Sequence, residues 1–316
     1  MKRAYVTGAT GAIGMALVAE LLKNNTEVTV LLRRDSERNS RISERFVDEL
    51  ADGLLNIWYV SLEELRDFLK DVNAQPQDAV FYHLGWSGTF GKLRNDAKLQ
   101  QKNVEYTLDA TRLAARLGCK RFIGVGSQAE YGRVDGRLTP DTGTAPENEY
   151  GRAKLAAGIE SRALCGRLGL SHAWVRVLSV YGPYDGMNTM IMSVISGLLK
   201  GSRVPLTRGE QVWNYLFSED AARELYLLGD RAADGEVYIL AGSGEQSLKE
   251  YVLELCRTVG ADEGLLGFGD VPYGVKQVMY LTADIEKTCR ATGYTPDTGF
   301  ADGIAKTVRW IKSISE

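Results

Sequence analysis

The chain has 316 residues, of which 44% are hydrophobic and 25% charged, with a net charge of −3. That length holds one large domain or two smaller ones, and the balance is that of an ordinary globular protein. With no long basic run, no nucleic-acid or anionic-membrane partner is expected. Four scattered cysteines without a C-x-x-C pair, and only two histidines, suggest neither a disulfide framework nor a metal site. No apolar stretch is long enough to span a bilayer. The chain opens on strand-like RAYVTG rather than a signal peptide, so a cytoplasmic location is the expectation.

In chain order, a β-rich run at 3–7 is followed by a helical pattern over 12–23. There Ile13, Leu17 and Leu21 recur at spacing four beside Val18 and Leu22. Strand-like runs follow at 27–32, 56–60, 79–84, 121–126 and 173–178. Most are apolar on consecutive positions, as strands buried on both faces are. Segments 97–117 and 149–168 are long enough for helices. This alternation predicts an α/β fold with a doubly wound parallel sheet, the Rossmann arrangement. From about Pro183 the pattern loosens. It runs through a helix over 188–199, strand-like NYLFS, a helix over 219–229, strand-like VYILAG, helical SLKEYVLELCRTVG, QVMYLTAD and a last helix over 300–314. The expected division is a main domain over 1–182, to which 213–240 returns, and a smaller interleaved α+β part over 183–316.

The stretch VTGATGAIG places Gly8, Gly11 and Gly14 after the first strand and at the start of the first helix. Gly8 permits a tight turn, Gly11 lets the backbone approach a diphosphate, and Gly14 lets helix and strand pack. The helix N-terminus adds free N–H groups and a positive dipole end. Thr10, Ala12 and Ile13 complete the expected cradle, and the main domain is read as dinucleotide-binding. At the end of the second strand an acid would accept from the ribose 2′-OH of NAD, whereas an arginine would hold the 2′-phosphate of NADP. The chain has Arg33 and Arg34 there, with Asp35 displaced beyond them. NADP(H) is therefore expected, with NAD(H) as the alternative.

Ser127 ends the fifth strand, at the sheet edge where open α/β folds bind ligands. Tyr150 and Lys154 follow at a spacing that puts them on one face of a helix. A free phenol has a pKa near ~10. A neighbouring ammonium and an oxidised nicotinamide would both lower it, so that Tyr150 exchanges a proton with a substrate oxygen.

The G-x-x-G-x-x-G spacing, the order Ser, Tyr-x-x-x-Lys, and the phrases YHLGWSGT, SVYGP and GEQVWNYLFSEDAA resemble the extended short-chain dehydrogenase/reductase superfamily over nearly the whole chain. That group contains nucleotide-sugar epimerases, dehydratases and ketoreductases. The resemblance implies that Tyr150 is the proton-transferring residue, that Lys154 also holds the nicotinamide ribose, and that Ser127 orients the reacting oxygen. It implies too that Leu84, Gly85 and Trp86 pass close to the cofactor, with Ser87 and Thr89 near the sugar or merely packing the loop. His83 resembles the histidine of the family's H-L-A-A segment and reads as structural, as does Tyr131 in the Y-G turn.

Members that perform 4,6-dehydration follow the hydroxyl residue with Asp-Glu. Here those positions are Gln128 and Ala129, which cannot exchange protons usefully, so that activity is not expected. Two readings remain, an NADPH-dependent 4-ketoreductase of the abequose synthase type and an NAD-dependent 4-epimerase. At the nucleotide end the chain departs from the epimerases, with Trp213-Asn214-Tyr215 in place of the R-D-Y/F segment and Ser179 in place of Asn. Either other groups such as Arg208 hold the diphosphate in place of the missing guanidinium, or the substrate is not a nucleotide sugar; Gln128 and Ser179 are further expected substrate contacts. Trp213 is either a stacking platform for base or sugar or a core residue where the two parts join. A non-catalytic NADP sensor and a reductase of small carbonyl compounds are less favoured. The sensors typically lose the Tyr–Lys pair, which this chain keeps. The superfamily's homodimers pair through two helices per subunit, here 97–117 and 149–168.

Overall fold

The computed structural model of the protein describes residues 1–72 and 77–314. Seven strands form one parallel sheet: β1 (Arg3–Thr7), β2 (Glu27–Leu32), β3 (Leu55–Tyr59), β4 (Ala79–His83), β5 (Arg121–Ser127), β6 (Ser171–Val177) and β7 (Glu236–Leu240). Their spatial order is β7-β6-β5-β4-β1-β2-β3. The doubly wound parallel sheet expected from the sequence is therefore present. All five residues of β4 are buried, as are six of the seven in β6, which matches their unbroken apolar runs. The order reverses between β1 and β4, and in such sheets the crevice beyond that point receives the ligand.

Two helical layers cover the sheet. On one face lie α1 (Ala12–Lys23) and α4 (Ser218–Arg231), which pack on each other; Leu17, Leu21 and Leu225 share a core with Val6, Val30 and Val175. The other face is covered by α2 (Ala97–Arg116) and α3 (Glu149–Leu168). Beneath them a row of rings crosses the sheet in register: Tyr5, Phe81, Phe122 and His172 are successive strand partners. Their centroids are 6.2, 5.8 and 6.1 Å apart, and each pair is stacked. Cross-strand ring pairs of this kind fix register as well as add buried area.

Local chemistry sets the helix ends that matter. Asp96 accepts from the backbone N–H groups of Lys98 and Leu99 and so starts α2. Asn148 accepts from Gly151 N–H at 2.8 Å and starts α3 two residues before Tyr150. Gly169, at φ 67°, ends α3 in the left-handed conformation.

Helices Met190–Leu199, Leu248–Val259 and Phe300–Ser313 build a second core around Ile195, Leu255 and Ile304. Short strands join this region to the first: Ser179–Tyr181 pairs with Tyr215–Phe217, and Val212–Trp213 lies between Gln246–Ser247 and Tyr280–Leu281. Among the described residues no helix is long and apolar enough to cross a membrane.

The ring row predicts where the fold is most sensitive. Phe81→Ala removes a fully buried ring from its centre and is expected to destabilise the protein by about 3–5 kcal/mol, read as a lowered urea midpoint.

Candidate active site

The turn after β1 begins at Gly8, with φ +73°. A Cβ there would lie 2.7 Å from the backbone of Leu84 and Gly85, so the first turn and the loop after β4 touch as only glycine allows. At Gly14 a Cβ would lie 2.2 Å from the Gly8 carbonyl oxygen, so the first turn of α1 packs closely on the glycine turn itself rather than on the strand. Gly11 is the N-cap of α1, with no side-chain cap on the helix's first N–H groups, and Ala12, Ile13 and Gly14 form its first turn. Arg41, unremarked in the sequence, donates to the Thr10 carbonyl at 2.8 Å and to that of Tyr184 at 3.1 Å. It ties the glycine turn to the segment after Pro183.

A cleft of about 1060 Å³ opens beside this turn, lined by Gly8, Thr10, Arg33, Arg34, Asp35, Gly85, Trp86 and Ser87 among others. Arg33 and Arg34 are exposed, and Arg34 lies 5.5 Å from the Tyr59 ring centre. The Gly8 turn, Gly85 and the arginine pair thus share one cleft, whereas Gly11, Ala12, Ile13 and Gly14 are not among its lining residues.

At the carboxyl ends of β5 and β4 the structure brings Ser127, Tyr150, Lys154 and Trp86 together. Ser127 begins a turn in which its hydroxyl accepts from Ala129 N–H and its own N–H donates to Glu130 at 2.8 Å. The Glu130 carboxylate is buried and also accepts from Trp174 Nε1 at 3.0 Å and from Arg176 Nε at 2.7 Å. These bonds fix the serine turn from behind. Ala129 is buried, and Gln128 half-buried. His83 bridges Thr7 and Thr107 through its two ring nitrogens, at 2.9 and 3.2 Å, and burial depresses it to about 3. It is a neutral structural histidine, as its resemblance implied.

Tyr150 is in the first turn of α3, where the positive end of the helix dipole favours a phenolate. Burial pushes its pKa up; the Ser127 hydroxyl and then the Arg94 guanidinium push it down, while Glu130 adds to the rise. Lys154 lies farther from the Tyr150 ring than Arg94 does. Its Nζ donates to the Val125 carbonyl at 2.6 Å, lies 3.8 Å from the Trp86 ring centre and is 6.0 Å from the Tyr150 ring centre. Burial lowers its own pKa to about 7, against an opposing pull from Glu130. In this arrangement the Ser127 hydroxyl and the Arg94 guanidinium are the groups that pull the phenol down. The reason is geometric: Lys154 reaches past the ring to the strand carbonyl.

Trp86 is held edge-on to Tyr150, with centroids 6.1 Å apart, and its Nε1 donates to Gln100 at 2.9 Å. Gln100 in turn donates to the Gly88 and Leu93 carbonyls, and Asn103 clamps both backbone groups of Ser87. The loop carrying Leu84, Gly85, Trp86, Ser87 and Thr89 is therefore tied to α2. Thr89 is exposed, and its carbonyl accepts from Arg94 at 3.2 Å.

The remaining expected site residues lie farther along the chain. Trp213 Nε1 donates to Ser179 Oγ at 2.6 Å, so these two are each other's partners across the join of the two regions. Arg208 is 67% exposed, near Glu210 at 3.5 Å and 5.5 Å from the Tyr273 ring centre. Among the described residues no group of His, Cys, Asp and Glu is placed to hold a metal ion.

Lys154 predicts a trade between stability and function. Its folded pKa of about 7 is below its ordinary 10.5, so unfolding takes up protons between these values and the wild type gains stability as pH rises through them. Lys154→Met is expected to raise stability at pH 6 by roughly 1–3 kcal/mol, with the gap narrowing toward pH 9 in urea titrations.

Comparison with known proteins places this geometry. A model of the NAD dependent epimerase/dehydratase family matches residues 4–241. The dTDP-glucose 4,6-dehydratase of Streptomyces niveus is 25% identical over 320 residues, covering 98% of this chain and 93% of that protein. The dTDP-glucose 4,6-dehydratase 1 of Escherichia coli K12 is 26% identical over 344 residues, covering 98% and 92%. Among solved structures, DesIV, a dTDP-glucose 4,6-dehydratase of Streptomyces venezuelae with NAD bound, superposes with a TM-score of 0.85 at 26% identity, covering 98% of this chain and 97% of that one. The UDP-glucuronic acid 4-epimerase of Bacillus cereus in complex with NAD shares the fold at 20% identity and a TM-score of 0.82, covering 99% and 97%. The relatives named here are dehydratases and an epimerase rather than ketoreductases of the abequose synthase type. The chain belongs to the NAD dependent epimerase/dehydratase family, a group of nucleotide-sugar-modifying enzymes of the extended short-chain dehydrogenase type.

Proposed function

We propose that the protein reduces the 4-keto group of a nucleotide-linked 4-keto-6-deoxyhexose at the expense of NADPH. The observation that carries this reading is the chemistry beside Ser127. Dehydration of a hexose needs an acid and a base next to the hydroxyl residue, and Gln128 and Ala129 supply neither. The nearest carboxylate, Glu130, is committed to Ser127 N–H, Trp174 and Arg176. What remains is a centre able to move one proton at one oxygen.

The dinucleotide, when bound, supplies the hydride. In this reading Ser127 hydrogen-bonds the keto oxygen and orients it, and Tyr150 donates the proton that the new alkoxide takes up. Lys154 holds the nicotinamide ribose, which requires its ammonium to exchange the Val125 carbonyl for ribose hydroxyls. Gly8, Thr10, Gly11, Ala12, Ile13 and Gly14 cradle the diphosphate, and Arg33 with Arg34 takes the 2′-phosphate. The region after Gly182, apart from its returns to the sheet, carries the nucleotide-sugar, with Ser87, Thr89, Gln128, Ser179, Arg208 and Trp213 as its contacts. A homodimer through the outer faces of α2 and α3, and a cytoplasmic setting, accompany this reading.

An NAD-dependent 4-epimerase would use the same three residues, and Asp35 at the cleft's far end favours it. One experiment separates the two. With NADPH and a panel of nucleotide-linked 4-keto-6-deoxyhexoses, reduction predicts absorbance loss stoichiometric with sugar. Interconversion of nucleotide hexoses without net dinucleotide use would establish epimerisation instead. Tyr150→Phe is expected to lower turnover at least about 100-fold while dinucleotide binding persists; unchanged turnover would defeat the assignment. Arg33→Ala with Arg34→Ala is expected to weaken NADPH binding relative to NADH by about tenfold, measured by fluorescence titration of each.

A further inference from the structure

The loop after β4 carries an arginine that the sequence pattern does not single out. Arg94 belongs to the short helical turn Gly91–Asn95, and its guanidinium carbon lies 4.3 Å from the centre of the Tyr150 ring. Trp86 meets the same ring edge-on, so an indole and a guanidinium both contact the phenol ring. The loop is anchored. Gln100 bonds the Gly88 and Leu93 carbonyls, Arg94 Nη1 bonds the Thr89 carbonyl, and Asn95 Oδ1 accepts from Glu149 N–H at 3.4 Å, one residue from Tyr150. Lys154, the other cation of the site, is engaged with Val125 and Trp86 and is 6.0 Å from the ring centre.

We infer that Arg94 is a positioning residue that sets the proton affinity of Tyr150 in the reaction, through its contact with the ring face. This rests on Tyr150 being the proton-transferring residue. A cation on the ring face stabilises the phenolate more than the phenol. The groups facing Tyr150 make the direction definite. From β5, Ser127 offers a hydroxyl; from the turn behind it, the Glu130 carboxylate opposes ionisation; from α3, Lys154 is farther and partly neutral at pH 7; from the β4 loop, Arg94 is the close, permanently charged group. Arg94 is half-buried rather than enclosed, so its influence should weaken as salt rises, unlike that of the buried Lys154.

The test reads Tyr150 directly and needs no sugar substrate. Protein carrying 13Cζ-tyrosine is titrated in the presence of NADP⁺, and the Tyr150 resonance is the one missing from Tyr150→Phe. Removing the charge in Arg94→Gln is expected to raise the midpoint by about one pH unit, a tenfold change in the phenol–phenolate ratio, whereas Arg94→Lys stays near the wild type. Raising salt from 0.05 to about 1 M should move the wild-type midpoint in the same direction and leave Arg94→Gln unmoved. A midpoint unchanged by both charge removal and salt would overturn the inference. Loss of turnover in Tyr150→Phe is a separate result, so failure of the catalytic assignment would be recognised on its own.

Discussion

The architecture of the site depends on one constraint: a lysine whose ammonium is taken out of water at the C-terminal edge of the sheet. Lys154 is 4% exposed and has a single strand carbonyl and the face of Trp86 for company. Burying a charge with so little compensation is unfavourable, which is why its proton is loosened to about 7. The surrounding structure is organised to tolerate it. Asn148 starts the helix at the right residue, Gly151 lets that helix approach the Ala129 carbonyl, and Gln100 fixes the indole that receives the ammonium.

A second set of contacts joins that corner to the cleft beside the glycine turn. Gly8 packs directly on the Leu84–Gly85 backbone, so the glycine turn and the loop bearing Trp86 form one surface at the point where the strand order reverses. Arg41 extends the same surface to the segment after Pro183, and the Ser179–Trp213 bond crosses to the smaller region. The Glu130–Arg176 pair lies behind Ser127 and has the same effect on a smaller scale, since removing one member would leave the other buried without its countercharge.

Much of this was legible in the amino-acid sequence, for reasons that can be stated. The inner strands of the main sheet are apolar on consecutive positions because both faces are covered, while the edge strand Leu55–Tyr59 is only partly buried; the expected runs match the observed ones within a residue or two, as with 56–60 against Leu55–Tyr59. The glycine turn was readable because backbone contact leaves no alternative to glycine at Gly8 and Gly14. The Tyr150–Lys154 spacing showed a shared helix face, yet not where the lysine's long side chain would end. Arg94 was invisible because it sits in an exposed, aperiodic loop and meets Tyr150, 56 positions away, only through the fold. Glu130 and Arg176 were likewise unremarkable apart, and their pairing depends on strand register and the turn after β5. The short paired strands Val204–Leu206 and Leu266–Phe268 carry three residues each, too few for a period to show.

The central claim is that this corner transfers a hydride to the sugar carbon whose oxygen Tyr150 protonates. Label transfer tests it most directly. NADPH deuterated at nicotinamide C4 is mixed with a nucleotide-linked 4-keto-6-deoxyhexose, and the product sugar is examined by mass spectrometry and NMR. One deuterium at C4 of the sugar for each dinucleotide oxidised is the predicted result. Sugar that reacts while the dinucleotide remains unconsumed, or that carries no label at C4, would contradict the account.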